Sequence, residues 1–512
     1  MTAEEYFLLL LFLTQFKEYQ LEQIINYNAK NGQETCSINN INIHSSYNPE
    51  KEAERFVNLI EATINPSIIF ITEPGFSYCA KYLRQRFPNS KLIAIRYTNL
   101  FNKYDNQWDL CLYFSETQNE NELKTKFYEL FSDEEICSAI FLSWQPSSKV
   151  FSEKESIVWK LIKDIVIKSR TVLFTRSYFS SRWMLNQINF CKHLKTIYSI
   201  KKGTCNIAIT ASGPSLKSSL PYIKQNRKNF FLIAVSSSIV TLINSQIIPD
   251  LIITTDGGWW AKKHLECLKE FNIPIAIPCE ANIQKEYFST QKIIPLSYSD
   301  GIDSKLLQTY NIQAMPAVRN GTVSGTALDL ALSITKGKIY FFGLDLSTTK
   351  GFQHSQPNML ETFNSSFDYK IATKEQRIFK SELNCDSLKI YEEWFKIKSE
   401  KVHDRVFRVS NNYPYSNQLG KIADISLNEI ELNSNIDIKI FKQNTTLTNI
   451  TEKLKKYIQT NSSTDEWKKE LFPTEYIAYK KAIAEYEQKE KELQLNNKNE
   501  KLITKIWKIL NE

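Results

Sequence analysis

Four apolar runs in the middle of the chain each stop at small polar residues, and this pattern leaves few folds open. Ile207-Ala208-Ile209 leads into Ala211-Ser212-Gly213-Pro214-Ser215, and Phe230-Phe231-Leu232-Ile233-Ala234-Val235 ends in Ser236-Ser237-Ser238. Leu251-Ile252-Ile253-Thr254-Thr255 ends in Asp256-Gly257-Gly258, and Lys338-Ile339-Tyr340-Phe341-Phe342 ends in Gly343-Leu344-Asp345. Helix-length segments separate the runs. Strands that are apolar on both faces and alternate with helices belong in a parallel sheet covered on both sides. Ligands of such sheets bind beyond the carboxyl ends of the strands. The small polar residues at these ends are therefore candidate site residues. The Gly213-Pro214 turn reads two ways. It can present backbone N–H groups and a helix N-terminus to a phosphate, or it is plain punctuation between strand and helix.

A chain of 512 residues is long enough for two or three domains. The sequence predicts an α/β protein with two Rossmann-like domains and a helical C-terminal domain. The first covers residues 1–190, with strands at Ser67-Ile68-Ile69-Phe70-Ile71-Thr72, Lys91-Leu92-Ile93-Ala94-Ile95 and Ser138-Ala139-Ile140-Phe141-Leu142. Glu73, in the turn after its first strand, would repel a phosphate, so this unit reads as a degenerate, structural one. Its connecting segment 152–195 is helical and aromatic, with Trp159, Tyr178, Trp183 and Phe190 as core residues packing the two α/β units together. The second domain, residues 191–425, carries the site. Residues 426–512 form the helical domain. From residue 451 onward 13 Lys and Arg face 11 Asp and Glu, a solvated, nearly neutral tail. Ile503, Ile506, Trp507 and Ile509-Leu510 form a short apolar stripe, open to a partner but better suited to packing within the chain.

Composition narrows the function classes. A hydrophobic fraction of 42% and a charged fraction of 23% are those of a globular protein. A net charge of +8 over this length mildly favours anionic ligands and is no nucleic-acid signature. The nine cysteines form no CxxC pair and read as reduced, mostly core residues. The apolar run Phe7-Leu8-Leu9-Leu10-Leu11-Phe12-Leu13 follows Glu4-Glu5 without Lys or Arg and lacks a small-residue cleavage site, so it is read as a buried or partner-facing helix. It is too short to span a bilayer. The expected location is cytoplasmic, without membrane insertion.

The order and spacing of the motifs resemble the motility accessory factor family, flagellin glycosyltransferases that use CMP-activated nonulosonic acids. The carrying residues are Ser212-Gly213-Pro214-Ser215-Leu216, Ala234-Val235-Ser236-Ser237, Pro249-Asp250-Leu251 through Asp256, Asn320-Gly321-Thr322-Val323-Ser324 and Gly343-Leu344-Asp345-Leu346. Ile43-His44-Ser45-Ser46-Tyr47-Asn48-Pro49, followed by Lys51-Glu52-Ala53-Glu54-Arg55, resembles an N-terminal signature of the same family, in which His44 is read as structural. The Gly-Pro-Ser-Leu turn and the Gly-Leu-Asp strand end are also similar to bacterial sialyltransferases. Where the family carries a glycine-rich turn in its first domain, this chain has Glu73-Pro74-Gly75-Phe76-Ser77. The resemblance implies a sialyltransferase-like central domain. Its activity would be transfer of a pseudaminic or legionaminic acid type sugar to Ser or Thr of flagellin, needed for flagellum assembly and motility. The wider superfamily includes 6-hydroxymethylpterin pyrophosphokinases. Pyrophosphoryl transfer to a pterin and a non-catalytic flagellin chaperone therefore stay open beside the transferase.

Transfer from a CMP-sugar needs a phosphate pocket, relief of leaving-group charge and a base for the acceptor hydroxyl. The donor-binding candidates are Ser212, Gly213, Pro214, Ser215, Ser236, Ser237, Asn320, Gly321, Thr322 and Ser324. Helix-forming residues 327–334 follow the second loop, whose alternative use is an ordinary N-cap. The catalytic candidates are His354, Asp256 and Asp345. Among the five histidines, His354 alone sits just past a strand end in a polar stretch, and histidine is the default base near neutral pH. The resemblance places a histidine at this point too. Asp256 and Asp345, at adjacent or nearby strand ends, would bond ribose, sugar or acceptor hydroxyls, or simply cap the following turns. Neither belongs to a DxD pair, so the expected chemistry is metal-free, inverting and without a cofactor beyond the donor.

Overall fold

The computed structural model describes residues 23–61, 66–114, 120–299, 301–319, 321–346, 354–377, 386–410, 418–445, 447, 449–482 and 484–512. The apolar run at residues 7–13, Asn320, the loop 347–353 and Cys385 lie outside them. The chain forms two compact units, residues 1–178 with 472–497 and residues 179–471 with 498–512. Both hold parallel sheets flanked by helices, the expected α/β class.

The first unit opens with an antiparallel meander, β1 (Ile24–Asn28), β2 (Glu34–Ile38) and β3 (Ile41–Asn42). Its main sheet holds β4 (Ile68–Thr72), β5 (Lys91–Arg96), β6 (Leu110–Tyr113) and β7 (Ile140–Ser143) in the order β6-β5-β4-β7, all parallel. Every residue of β4 is buried, which is why its sequence is continuously apolar rather than alternating. The turn after β4 is closed by the protein's own charges. Glu73 (φ 33°), Gly75 (φ 56°) and Ser77 (φ 64°) take left-handed conformations. Arg96, at the end of β5, donates to Glu73 Oε1 at 3.0 Å, to the Gly75 carbonyl at 2.8 Å and to Ser77 Oγ at 2.9 Å. The Tyr97 N–H donates to Glu73 Oε2 at 2.7 Å. Glu155 takes hydrogen bonds from Thr72, Ser143 and Tyr97 at the neighbouring strand ends. Internal carboxylates thus fill the strand-end positions where a nucleotide phosphate would sit, which supports reading this unit as structural.

The His44 segment has a packing role. The Phe76 N–H donates to His44 Nε2 at 3.1 Å, Glu52 accepts the Ser45 N–H at 2.8 Å, and Asn48 caps helix Pro49–Asn58 through the Lys51 N–H. Burial holds the His44 imidazole below the usual histidine range, with Glu52 opposing.

The second unit adds β8 (Tyr198–Lys201) and a nine-stranded parallel sheet: β9 (Ile207–Thr210), β10 (Phe231–Val235), β11 (Leu251–Ile253), β12 (Ile275–Pro278), β13 (Ile293–Ser297), β14 (Met315–Pro316), β15 (Ile339–Phe342), β16 (Val406–Val409) and β17 (Ala423–Ile425). Their order is β14-β13-β12-β11-β10-β9-β15-β16-β17. Sequence order therefore runs outward from β9 along one flank and resumes at β15 on the other. Ile209 is in register with Ile233 on one side and Phe341 on the other. The reversal at β9 is a topological switch point, where such sheets open a crevice.

The boundaries differ from the sequence-based ones. The units meet in the chain at residues 178/179, inside helix Ser152–His193, rather than at 190/191. Residues 426–512 are not a helical domain of their own. β18 (Lys439–Lys442) pairs antiparallel with β8, and Asp437 accepts the N–H groups of Thr204 and Cys205. Helices Ile450–Asn461 and Asp465–Leu471 belong to the second unit, whereas Pro473–Lys481 belongs to the first. Helix Glu485–Asn511 starts in the first unit and ends in the second. Ile506 and Leu510 of the C-terminal stripe are buried and Ile503, Trp507 and Ile509 are partly buried, so the stripe packs within the chain. Cys36, Cys79, Cys111, Cys137, Cys191, Cys205, Cys267 and Cys279 are free thiols. Among the described residues no helix is long and apolar enough to cross a membrane.

The buried pair gives the first prediction. Burial pushes the Glu73 carboxyl up, and the Arg96 guanidinium pulls against it. Arg96→Leu strands a buried carboxylate and should cost about 3–5 kcal/mol. Glu73→Gln in the same chain should restore part of that loss, read as urea unfolding midpoints.

Candidate active site

The crevice at the switch point is built on one lock. Asp345, just past β15, is buried and accepts both the N–H of Ser215, at 2.8 Å, and its hydroxyl. The Gly213 N–H donates to the Gly343 carbonyl at 2.8 Å. The two strand ends approach so closely that a Cβ on Gly213 would lie 2.5 Å from the Gly343 carbonyl and 2.6 Å from Asp345 Oδ2. Gly343 has φ 71°, and a Cβ there would sit 2.7 Å from the Ala211 carbonyl.

Two expectations are corrected here. The Gly-Pro turn does not offer its backbone to a phosphate. The N–H groups of Gly213, Ser215, Leu216 and Lys217 all have partners inside the protein, and Pro214 has none to give. Gly213 is needed for contact with β15, and Ser215 is spent on Asp345. Asp345 is accordingly an organiser of the turn rather than a group facing substrate. It is also remote in strand order from Asp256: β10 and β9 separate β11 from β15.

At the ends of β9 and β10 stand two linked hydroxyls. Ser237 Oγ donates to Ser212 Oγ at 2.8 Å, joining the ends of β10 and β9. The segment beyond the 347–353 loop is pinned across these ends. The Ser355 N–H donates to the Ser212 carbonyl at 2.7 Å, Asn358 Nδ2 to the Ser237 carbonyl at 3.0 Å, and Thr241 Oγ1 to the Pro357 carbonyl at 2.8 Å. His354 directly precedes this staple in the chain. Its Nδ1 is buried with no hydrogen-bond partner among the described residues. Burial lowers its proton affinity below that of an ordinary histidine, with Glu361 opposing. His264, on helix Trp259–Leu265, is held down to about 4 by burial and by the His354 charge. Ser236 is buried in the short turn Ser236–Ser238 and lies behind this surface.

A second wall comes from β11 to β14. Asp256 is exposed at the end of β11 and accepts the Gly258 N–H through Oδ1 at 2.8 Å. Tyr391, on helix Asp386–Val402, connects it to the second loop. A Cβ on Gly321 (φ 75°) would lie 3.4 Å from the Tyr391 ring, and the Tyr391 hydroxyl is raised by burial and then by the Asp256 charge. Thr322 is the N-cap of helix Val323–Ile334, makes no side-chain cap bond, and precedes the buried Ser324. The positive end of the helix dipole lies at this loop. Just before Asn320, Arg319 makes a double ion pair with the buried Glu280, at 2.6 and 2.8 Å, and stacks on Tyr298. A separate cavity of about 780 Å³ opens beside Trp259 and is walled by residues of 259–291 rather than by the Ser212 and His354 segments.

Sequence reading missed Tyr391, Arg319, Glu280, His264 and Asn358. None belongs to the motifs read from the sequence: Arg319 and Asn358 flank Asn320 and His354 in the chain, whereas Tyr391, Glu280 and His264 meet these segments by long-range packing. The one signal available was the spacing of Asn358 from His354, since Asn is a strong helix N-cap and does cap helix Met359–Ser365.

Gly213→Ala should destabilise the folded chain by about 1–3 kcal/mol, through overpacking against a backbone carbonyl and a carboxylate. Thermal melts check this, and an unchanged midpoint would mean that the strand ends separate freely.

Residues 181–351 match the family model described as 6-hydroxymethylpterin diphosphokinase MptE-like. A curated protein of Treponema pallidum (strain Nichols), described as an uncharacterized protein, is 28% identical over 287 residues, 56% of this chain and 63% of that protein. The match thus spans less than two thirds of the relative's length. The solved structure of the Maf glycosyltransferase from Magnetospirillum magneticum AMB-1 shares the fold, with a TM-score of 0.50 at 10% identity over 89% of this chain and 77% of that one. The MptE-like match covers the segments from β9 to β15 that carry the candidate site, and the structural match shows a fold shared with the Maf glycosyltransferase.

Proposed function

We propose that the protein is a cytoplasmic glycosyltransferase. It would move a nonulosonic acid of the pseudaminic or legionaminic type from its CMP-activated donor to Ser or Thr of flagellin. The observation that carries this reading is His354: its Nδ1 is buried without a hydrogen-bond partner among the described residues, its proton affinity is lowered by burial, and it directly precedes the Ser355–Asn358 segment bonded to Ser212 and Ser237 at the switch point. A buried polar atom without a partner calls for an explanation, and a bound ligand is the one this reading offers.

In this mechanism the acceptor oxygen attacks the anomeric carbon while its proton passes to His354. The bond from that carbon to the phosphate oxygen breaks, and CMP leaves with the electron pair. A single in-line displacement inverts the carbon. The N-terminus of helix Val323–Ile334 and the hydroxyls of Ser212 and Ser237 are the groups suited to the phosphate and sugar. Asp256 is the carboxylate suited to a sugar or acceptor hydroxyl. Asp345 keeps the turn in place and takes no proton.

The name of the matching family model favours one other reading, diphosphoryl transfer to a pterin. That chemistry needs ATP, magnesium and carboxylates free to hold the metal. Asp345 is already committed to Ser215. Chelation separates the two: transfer of the sugar to flagellin should survive EDTA. Activity lost to EDTA and restored by magnesium, with ATP as donor, would establish the kinase reading instead.

His354→Ala should lower single-turnover transfer to purified flagellin by about a hundredfold or more. CMP-sugar affinity should stay within about twofold, because a base acts in the transition state. The proton affinity of His354 is lowered, and only the deprotonated ring accepts a proton. The acid limb of the native rate profile should therefore fall below pH 6.5, the value ordinary for histidine. A native rate in the alanine variant would assign the base elsewhere.

A further inference from the structure

Each carbonyl of the turn Asp256-Gly257-Gly258, beyond β11, accepts a hydrogen bond from an asparagine. The Asn282 N–H donates to the Asp256 carbonyl at 3.0 Å, Asn186 Nδ2 to the Gly257 carbonyl at 3.0 Å, and Asn282 Nδ2 to the Gly258 carbonyl at 3.1 Å. Asn186 Nδ2 also donates to the Glu280 carbonyl at 2.8 Å. One amide group thus ties together the segments that follow the neighbouring strands β11 and β12. Asn186 comes from helix Ser152–His193, in the part that belongs to the second unit.

The contacts around this amide form a closed circuit. Trp183 precedes Asn186 by three residues, so both lie on one face of the helix. Trp183 fills the space beside Gly257. A Cβ there would lie 2.6 Å from Cδ1 of its ring and 2.9 Å from the Glu280 carbonyl. Arg319 lies over the Trp183 ring, 5.9 Å from its centroid. The Glu280 carboxylate completes the circuit through its double ion pair with Arg319. The backbone beneath Asp256 is therefore held from several sides, while Asp256 itself is exposed and spends Oδ1 only on the Gly258 N–H of its own turn.

We infer that Asn186 is a positioning residue for the transfer, acting through Asp256: it fixes the turn so that the carboxylate meets a sugar or acceptor hydroxyl in one place. The inference rests on the transferase reading above. Groups that contact a reacting substrate must be held to about 0.5 Å by partners behind them, and a circuit that anchors the backbone while leaving the carboxylate exposed meets that need. Asparagine suits the position because its amide carries two N–H donors and no charge. One side chain therefore satisfies two carbonyls, whereas a carboxylate in its place would repel both.

The experiment is a double-mutant cycle on the full chain, read as single-turnover transfer from the CMP-sugar to purified flagellin. Asn186→Ala should lower the rate about tenfold to a hundredfold, the scale of a small misplacement at a reacting centre. Asp256→Asn should also lower it. In the Asp256→Asn background, Asn186→Ala should change the rate by less than about twofold, because the group it acts through is already gone. Thermal melts show that every chain is folded at the assay temperature. The cycle is repeated with Asn186→Ser, which keeps one donor and should give a smaller loss with the same dependence on Asp256. An equal loss in both backgrounds would make Asn186 merely structural and overturn the inference, leaving the transferase reading in place. So would a native rate in either Asn186→Ala or Asp256→Asn. Absence of transfer by the native chain overturns the transferase reading itself, and the inference with it.

Discussion

The contact between Asp345 and Ser215 is the constraint on which the central sheet's site depends. β9 and β15 are neighbours only because the strand order reverses at β9, and their ends meet at a turn with no room for a Cβ on Gly213. A carboxylate buried there needs compensation, and the N–H and hydroxyl of Ser215 supply it. Fixing that turn fixes Ser212 one residue earlier. Ser212 in turn carries two further contacts, its hydroxyl meeting Ser237 and its carbonyl accepting the Ser355 N–H. The position of His354 is thus the last step of a chain of hydrogen bonds that begins at a buried aspartate.

The two α/β units treat the same architectural opportunity in opposite ways. Both have parallel strands whose carboxyl ends could accept an anionic ligand. In the first unit Glu73 and Glu155 occupy those ends, and Arg96 supplies the compensating charge from inside the protein. In the second unit the strand ends and the segments next to them hold small hydroxyls, an imidazole and the N-terminus of helix Val323–Ile334. A carboxylate already in place excludes a phosphate by charge, whereas hydroxyls and N–H groups attract one. That difference is the reason the proposed chemistry is assigned to the second unit.

Neutrality is the electrostatic theme of that crevice. Burial disfavours the charged form of a histidine, and both His354 and His264 are displaced in this direction. A base must be unprotonated before it acts, so an environment that suppresses imidazolium fits the role proposed for His354. Glu361 opposes the shift but is shared with Arg377, which limits its pull.

Much of this was written locally. The continuous apolar runs became β9, β10, β11 and β15 within a residue or two, because strands buried on both faces admit few polar residues. The polar residues that stop them lie at strand ends, as the sheet geometry requires. β12 and β13 were not legible, since Pro278 and Pro295 interrupt runs that read otherwise as strand, and β14 is only two residues long. The fate of the C-terminal region was equally hidden: composition marks it as helical, but not which unit each helix packs against. For the site, the chain determined which residue types stand at the strand ends. Tertiary structure decided which of them stay exposed and which are spent inside the protein. Asp256 and Asp345 are the same residue type after similar runs, yet one is exposed and the other is buried on Ser215. That difference depends on which strand lies next in the sheet, and strand neighbours are set by long-range packing rather than by local sequence.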